Sequence, residues 1–136
     1  MYVEEIIRTT INAAYEVYST RHKGFIESVY QNALLIEPRR QDLKVEKEKD
    51  LQVLDKGEPV GNFRADILVE DCLILELKAV QETVLAHELQ LVTYLKGTGI
   101  DNGLLINFGA DSFKPKRKFR LYSSPTNSNN FQIDNT

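Results

Sequence analysis

The sequence predicts an α/β protein, a mixed β-sheet flanked by helices, in the element order ααβββαββ. Three observations carry that prediction. Residues 2–37 place apolar side chains at helical spacing. From Leu43 the hydrophobic period changes to two. Two short apolar runs, Cys72–Ala79 and Gly103–Phe108, then bracket a further helical pattern.

Each element has its own signal. Val3, Ile7, Ile11, Ala14 and Tyr18 predict a helix over 2–19. Arg21 to Gly24 interrupts it, and Gly24 permits a sharp entry into the next helix. Ile26, Val29, Tyr30, Ala33 and Leu34 form the second stripe, which Pro38 is expected to stop at Glu37. Val45, Lys47, Lys49, Leu51 and Val53 alternate with Glu46, Glu48 and Asp50, a partly exposed strand. Gly57 to Gly61 reads as a turn, and 62–69 as the next strand. Glu70-Asp71 is a tight hairpin into strand 72–79. Thr83 to Lys96 is helical and closed by Gly97 or Gly99, Gly103–Phe108 is a buried strand, and Lys116–Tyr122 is the last one. The Ser-, Asn- and Thr-rich stretch 123–136 reads as a disordered polar tail behind one domain over 1–122.

With 136 residues, 42% of them apolar, the chain can build one core. A net charge of −3 does not announce a nucleic-acid binder. The charge is uneven, however, with a basic cluster from Lys114 to Arg120 and smaller ones at Arg21-His22-Lys23 and Arg39-Arg40. The single cysteine, Cys72, lies in an apolar run and reads as an inert core thiol. Glu4 and Glu5 stand where a signal peptide would be basic and then apolar, and no stretch approaches the length of a membrane span. The expectation is a cytoplasmic protein with no membrane association.

The chemistry concentrates at Asp66, followed after nine residues by Glu76-x-Lys78. Glu76 and Lys78 share one face of a strand, so an adjacent strand carrying Asp66 would gather two carboxylates and an ammonium at one point. Two strand-end carboxylates suit magnesium, and the Leu77 carbonyl offers a further oxygen. Phosphodiester cleavage uses such a metal to activate water and stabilise developing charge. Lys78 then orients or deprotonates the water, or neutralises phosphate. The same three residues also fit a purely structural charge cluster at a strand end. On the later helix, His87, Gln90 and Tyr94 fall on one arc, the expected lining of a pocket, with Leu85, Leu89 and Val92 expected against the sheet. Glu27 has two readings, a third acid for the metal or a first-turn acid favoured by the helix dipole. Tyr30 is open to a substrate-side or a core role.

Taken together, Gly24-x-x-Glu27-x-x-Tyr30, Arg64-Ala65-Asp66, Glu76-Leu77-Lys78, Gln90-x-x-x-Tyr94-Leu95 and the Gly103–Gly109 segment resemble the GxxExxY protein family. That family is similar to the PD-(D/E)XK nucleases, and the Gln90–Tyr94 pattern is similar to their RecB-like branch. The resemblance spans roughly residues 4–121 and implies a restriction-endonuclease-like core. It implies Asp66 and Glu76 as metal ligands, Lys78 as the catalytic lysine, Glu27 as the acid on the preceding helix, and Gln90 and Tyr94 lining the site. The chain departs from the family where a longer helix with Glu-Leu-Arg and a glycine is usual. Here Glu37-Pro38-Arg39-Arg40-Gln41-Asp42 stands instead.

The resulting expectation is a nuclease that uses magnesium or manganese on nucleic acid, DNA ahead of RNA, with a homodimer or protein partner completing the groove. The alternative is a nuclease-fold accessory module that binds nucleic acid or protein without cutting, with affinity carried by the Lys114–Arg120 cluster. A two-carboxylate glycosidase is the weakest reading, because it leaves Lys78 idle and the chain has no Trp for sugar stacking.

Overall fold

A computed structural model describes residues 2–120. The elements are α1 (Val3–Arg21), α2 (Glu27–Leu34), α3 (Ile36–Arg40), β1 (Val45–Asp55), β2 (Glu58–Val69), β3 (Leu73–Lys78), α4 (Leu85–Thr98), β4 (Asn102–Asn107) and β5 (Lys116–Phe119). The strands form one five-stranded sheet in sequence order. All neighbours are antiparallel except β3 and β4, which run parallel with α4 as their crossover. The expected polar tail at 123–136 lies outside the described residues.

The central pair is apolar on both faces because both faces are covered. Leu73, Leu75, Leu77, Leu104 and Ile106 pack into the layer that holds Ile6, Ile7, Ala14, Tyr30 and Leu34 of α1 and α2. Ile74 and Leu105 point the other way, onto Leu91 and Leu95 of α4. Those two leucines anchor α4, whereas Leu85 and Leu89 stay 65% and 56% exposed. The expected packing of Leu85 and Leu89 on the sheet is therefore corrected: the buried stripe runs one position round, through Leu91 and Leu95. Gly99, with φ of 79°, closes α4 and donates its N–H to the Leu95 carbonyl.

Two local expectations change. Pro38 does not stop a helix at Glu37; the break falls at Leu35, and Pro38 sits in the first turn of α3. An N–H in a first turn has no partner within the helix, so the proline ring costs nothing there. The turn before β2 is only Lys56-Gly57, both at positive φ, and the strand begins at Glu58. Asp55 already pairs with Glu58, and a register shift between Val53 and Leu54 accommodates Pro59.

The β1–β2 hairpin rolls over midway. Ile67 and Val69 face the α1–α2 layer, yet Phe63 and Ala65, of the same parity, face α4. Val45 on one side and Leu51 and Val53 on the other show the same reversal in β1. The register places Glu48 and Asp66 between the pairs Lys47–Ile67 and Lys49–Ala65. Glu48 has φ of 51°, a conformation that turns the following side chains to the opposite face. The roll therefore falls at Asp66.

The basic C-terminal cluster is largely engaged within the fold. Lys116 and Lys118 both donate to the Glu88 carboxylate, at 2.7 and 2.6 Å. Arg117 grips Glu4 with two hydrogen bonds, and Arg120 pairs with Asp101. Burial pushes the Glu88 carboxyl up, but the two ammoniums outweigh it and hold it below the ordinary range. The picture of a free basic patch from Lys114 to Arg120 is corrected accordingly. Lys118 is only 5% exposed. Glu88→Ala should strand that ammonium and lower stability by about 3 kcal/mol, measured by urea unfolding.

Candidate active site

The β2–β3 ladder runs from Val69–Leu73 to Ile67–Leu75. One residue on, the Asp66 side chain takes over from the main chain: its Oδ2 accepts the Leu77 N–H at 2.8 Å. The Asp66 carbonyl accepts instead from Nε2 of Gln31 on α2, at 3.0 Å. The strands thus part at Asp66, and the gap brings its carboxylate beside Glu76. Both lie at the carboxyl end of β3, where Glu76 and Lys78 pair with Leu105 and Asn107 of β4.

The electrostatics of this gap are those of a site short of positive charge. Burial pushes the Glu76 carboxyl up to about 8, and the Asp66 charge pushes the same way. A main-chain hydrogen bond from Asp66 and the Lys78 ammonium pull it back only in part. Asp66 is also raised, first by burial, against the Leu77 N–H and Lys78, which lower it. Glu27 raises both carboxyls, and Glu48 adds its charge to Asp66. Oε2 of Glu76 is buried with no hydrogen-bond partner among the described residues.

Other expected site residues have different surroundings. Tyr30 is fully buried: its hydroxyl donates to the His22 carbonyl at 2.6 Å, accepts from the Phe25 N–H, and its ring stacks on Phe108. Its substrate-side role is corrected to that of a rivet for the α1–α2 connection. His87 accepts the Val84 N–H through Nδ1 at 3.1 Å, so it caps the start of α4. Gln90 donates to the Tyr94 hydroxyl, and the Tyr94 ring stacks on Phe63 at 3.8 Å, tying α4 to the outer half of the hairpin. Among the described residues none of these three hydrogen-bonds to Asp66, Glu76 or Lys78. Glu27 is exposed at the start of α2, within electrostatic range of both carboxyls. Among the described residues, no three His, Cys, Asp or Glu side chains form a ready-made metal cage. The donor set is then a carboxylate pair, which suits a hard ion that keeps several waters.

Sequence reading gave no role to two supporting residues. Gln31 is 7% exposed and lies one turn beyond Glu27 on α2; its i, i+4 spacing to a candidate acid was the available signal. Asn107 accepts from both the Val80 and Gly109 N–H groups at 3.0 Å, joining the loops that leave β3 and β4 beside Lys78.

No curated protein matches the chain. The crystal structure of SSO0001 superposes with a TM-score of 0.54 at 16% identity, over 91% of this chain and 60% of that one. The chain thus corresponds to 60% of that structure's length, and the likeness is one of fold. No described helix is long and apolar enough to cross a membrane. The profile of the PD-(D/E)XK nuclease superfamily matches residues 4–120, nearly the whole of the sheet-and-helix unit that brings Asp66, Glu76 and Lys78 together. By that match, the chain belongs to the PD-(D/E)XK nuclease superfamily.

Proposed function

We propose that this protein is a metal-dependent nuclease that hydrolyses phosphodiester bonds in nucleic acid, DNA ahead of RNA, with Asp66 and Glu76 as metal ligands and Lys78 as catalytic lysine. The observation that carries this reading is the orphaned, buried Oε2 of Glu76 beside a second raised carboxyl. Such an arrangement is costly unless a cation joins it. Magnesium or manganese would supply that charge and an acidified water.

The chain's own residues then divide the work. Asp66 and Glu76 offer carboxylate oxygens from two strands, the Leu77 carbonyl a further one, and Glu27 adds negative potential from α2. Lys78 shares the Glu76 face of β3, placed as an ammonium to orient the attacking water and offset phosphate charge, or as the neutral amine to take the water's proton. Gln90 and Tyr94, with His87 behind them, are the substrate-contacting set on α4. The finer placement, in the GxxExxY family and near the RecB-like branch, rests on the Gly24–Tyr30 and Gln90–Tyr94 patterns. Because Lys116, Arg117, Lys118 and Arg120 are engaged internally, a second copy or a protein partner is the proposed source of further backbone contacts.

Gln31 supports the ligands by holding the Asp66 main chain. Gln31→Leu should weaken manganese binding roughly tenfold by titration calorimetry, the scale of losses when a ligand's supporting hydrogen bond goes. The function itself is tested by incubating purified protein with single- and double-stranded DNA and RNA, with manganese and with chelator. Cleavage that needs the metal is expected. No cleavage by the wild type, alone or with its native partner, would overturn the reading in favour of the non-cutting accessory module.

A further inference from the structure

A cavity of about 410 Å³ opens immediately beyond Lys78, between the α1–α2 connection and the loops that leave β3 and β4. That volume lies within the range of small-ligand sites. One wall is Phe25, 46% exposed although it belongs to the connection that Tyr30 rivets in place. Its ring meets Tyr30 edge-to-face at 6.1 Å and 77°, and Tyr30 in turn stacks on Phe108 at 4.6 Å, so the exposed ring has an ordered aromatic base. Residues with little or no side chain, Gly24, Ala79 and Gly109, make much of the remaining surface. Gly109 cannot be larger: a Cβ there would lie 2.5 Å from the Val80 carbonyl oxygen. Lys23 and Gln81 supply polar side chains to the lining: Lys23 pairs with Asp111, and the Gln81 amide donates to the same carboxylate at 3.4 Å.

An exposed aromatic facing small residues, with an amide at the edge, has the chemistry of a slot for a flat heteroaromatic ring. Its position identifies the ring. The cavity adjoins the end of β3 that carries Glu76 and Lys78, and Phe25 lies two residues before Glu27. We propose that this slot holds an unpaired nucleobase of the substrate, stacked on Phe25 with its edge on Gln81, so that the site takes single-stranded nucleic acid or an unpaired end. The proposal rests on the nuclease reading above. A base inside a duplex is already stacked and paired and cannot enter without being pulled out. Stacking on a protein aromatic tolerates any base, so the slot selects strandedness rather than sequence.

The test uses the full chain carrying Lys78→Ala, to stop cleavage, with fluorescent single-stranded DNA and RNA and the matching blunt duplexes. Adding Phe25→Ala should weaken single-strand binding about tenfold and leave duplex binding within twofold. Phe25→Trp should restore it. A 2-aminopurine placed in the strand should be quenched on binding only when residue 25 is aromatic. If Phe25→Ala fails to fold, Gln81→Ala on the exposed loop replaces it, with a two- to threefold single-strand loss expected. Equal losses for single strand and duplex, or no loss for either, would overturn the slot and leave the nuclease reading standing. Failure of every variant to bind any nucleic acid would overturn both.

Discussion

Lys78→Ala is expected to reduce metal-dependent cleavage by roughly 10²–10⁴-fold, while nucleic-acid binding and fold stability stay nearly unchanged. Lys78 sits at the end of β3, half-buried, and its ammonium makes no hydrogen bond among the described residues. On the proposed role, its truncation removes a group that acts on water and phosphate rather than one that holds the sheet. The same ammonium lowers both carboxyls of the gap, so its loss should also push Glu76 and Asp66 further up. Asp66→Ala should behave differently. It removes the acceptor for the Leu77 N–H as well as a proposed metal ligand, so it should cost about 1–3 kcal/mol of stability in addition to activity. Single-turnover cleavage, anisotropy binding and urea unfolding on the three proteins separate these effects. Equal cleavage by wild type and Lys78→Ala would identify a contaminating nuclease and remove the support for Lys78.

Glu76→Gln is expected to stabilise the metal-free protein at neutral and alkaline pH while abolishing its proton-coupled metal binding. Glu76 is raised from 4.5 to about 8 in the fold. Its favourable, protonated state is fully present below 4.5 and is lost as pH rises through about 8. Each pH unit above the unfolded value costs about 1.4 kcal/mol, or about 3 kcal/mol by pH 7. The neutral amide escapes that cost, so the variant should melt about 10 °C higher than wild type near pH 8, with little difference at pH 5. Metal binding to the wild type must displace the proton, and apparent manganese affinity should rise up to tenfold per pH unit below 8 and then flatten. The variant should bind weakly with a flat profile. Wild-type affinity independent of pH between 6 and 8 would remove Glu76 from the ligand set.

The parts legible in the sequence were those set by local pattern. Helical spacing around Ile7 and Leu34, the apolar runs of β3 and β4, and the same-face placement of Glu76 and Lys78 all follow from fixed periods of 3.6 and 2. The mixed sheet follows from them, whereas the superfamily was legible only as a likeness of the Gly24–Tyr30, Asp66, Glu76–Lys78 and Gln90–Tyr94 motifs, which the family match over residues 4–120 bears out. What was not legible depends on partners distant in sequence. Tyr30 was open to a substrate-side or a core role until Phe108 and the His22 carbonyl enclosed it. The cations from Lys116 to Arg120 read as an open basic cluster until Glu88, Glu4 and Asp101 met them. Pro38 looked like a stop because spacing alone does not say which turn of a helix a proline will occupy. The roll at Glu48 broke the alternation that the strand reading relied on, and no residue type there announces a left-handed backbone.

That roll has a consequence for how the molecule opens. The inner part of the hairpin is bonded to β3 from Val69 to Ile67, whereas the outer arm packs on α4 through Phe63, Leu51 and Val53. Gly97 of α4 even has its missing side chain's place taken by Val53, 2.9 Å away. The outer arm thus rests on α4, which is itself anchored on β3 and β4 through Leu91 and Leu95, while the inner part belongs to the sheet, and Asp66 is the seam between them. Proteins open along such seams at a cost below that of global unfolding. An opening here would carry Asp66 away with the arm and leave Glu76 and Lys78 on their strand, so the separation of the two carboxylates would follow the hairpin rather than the whole fold.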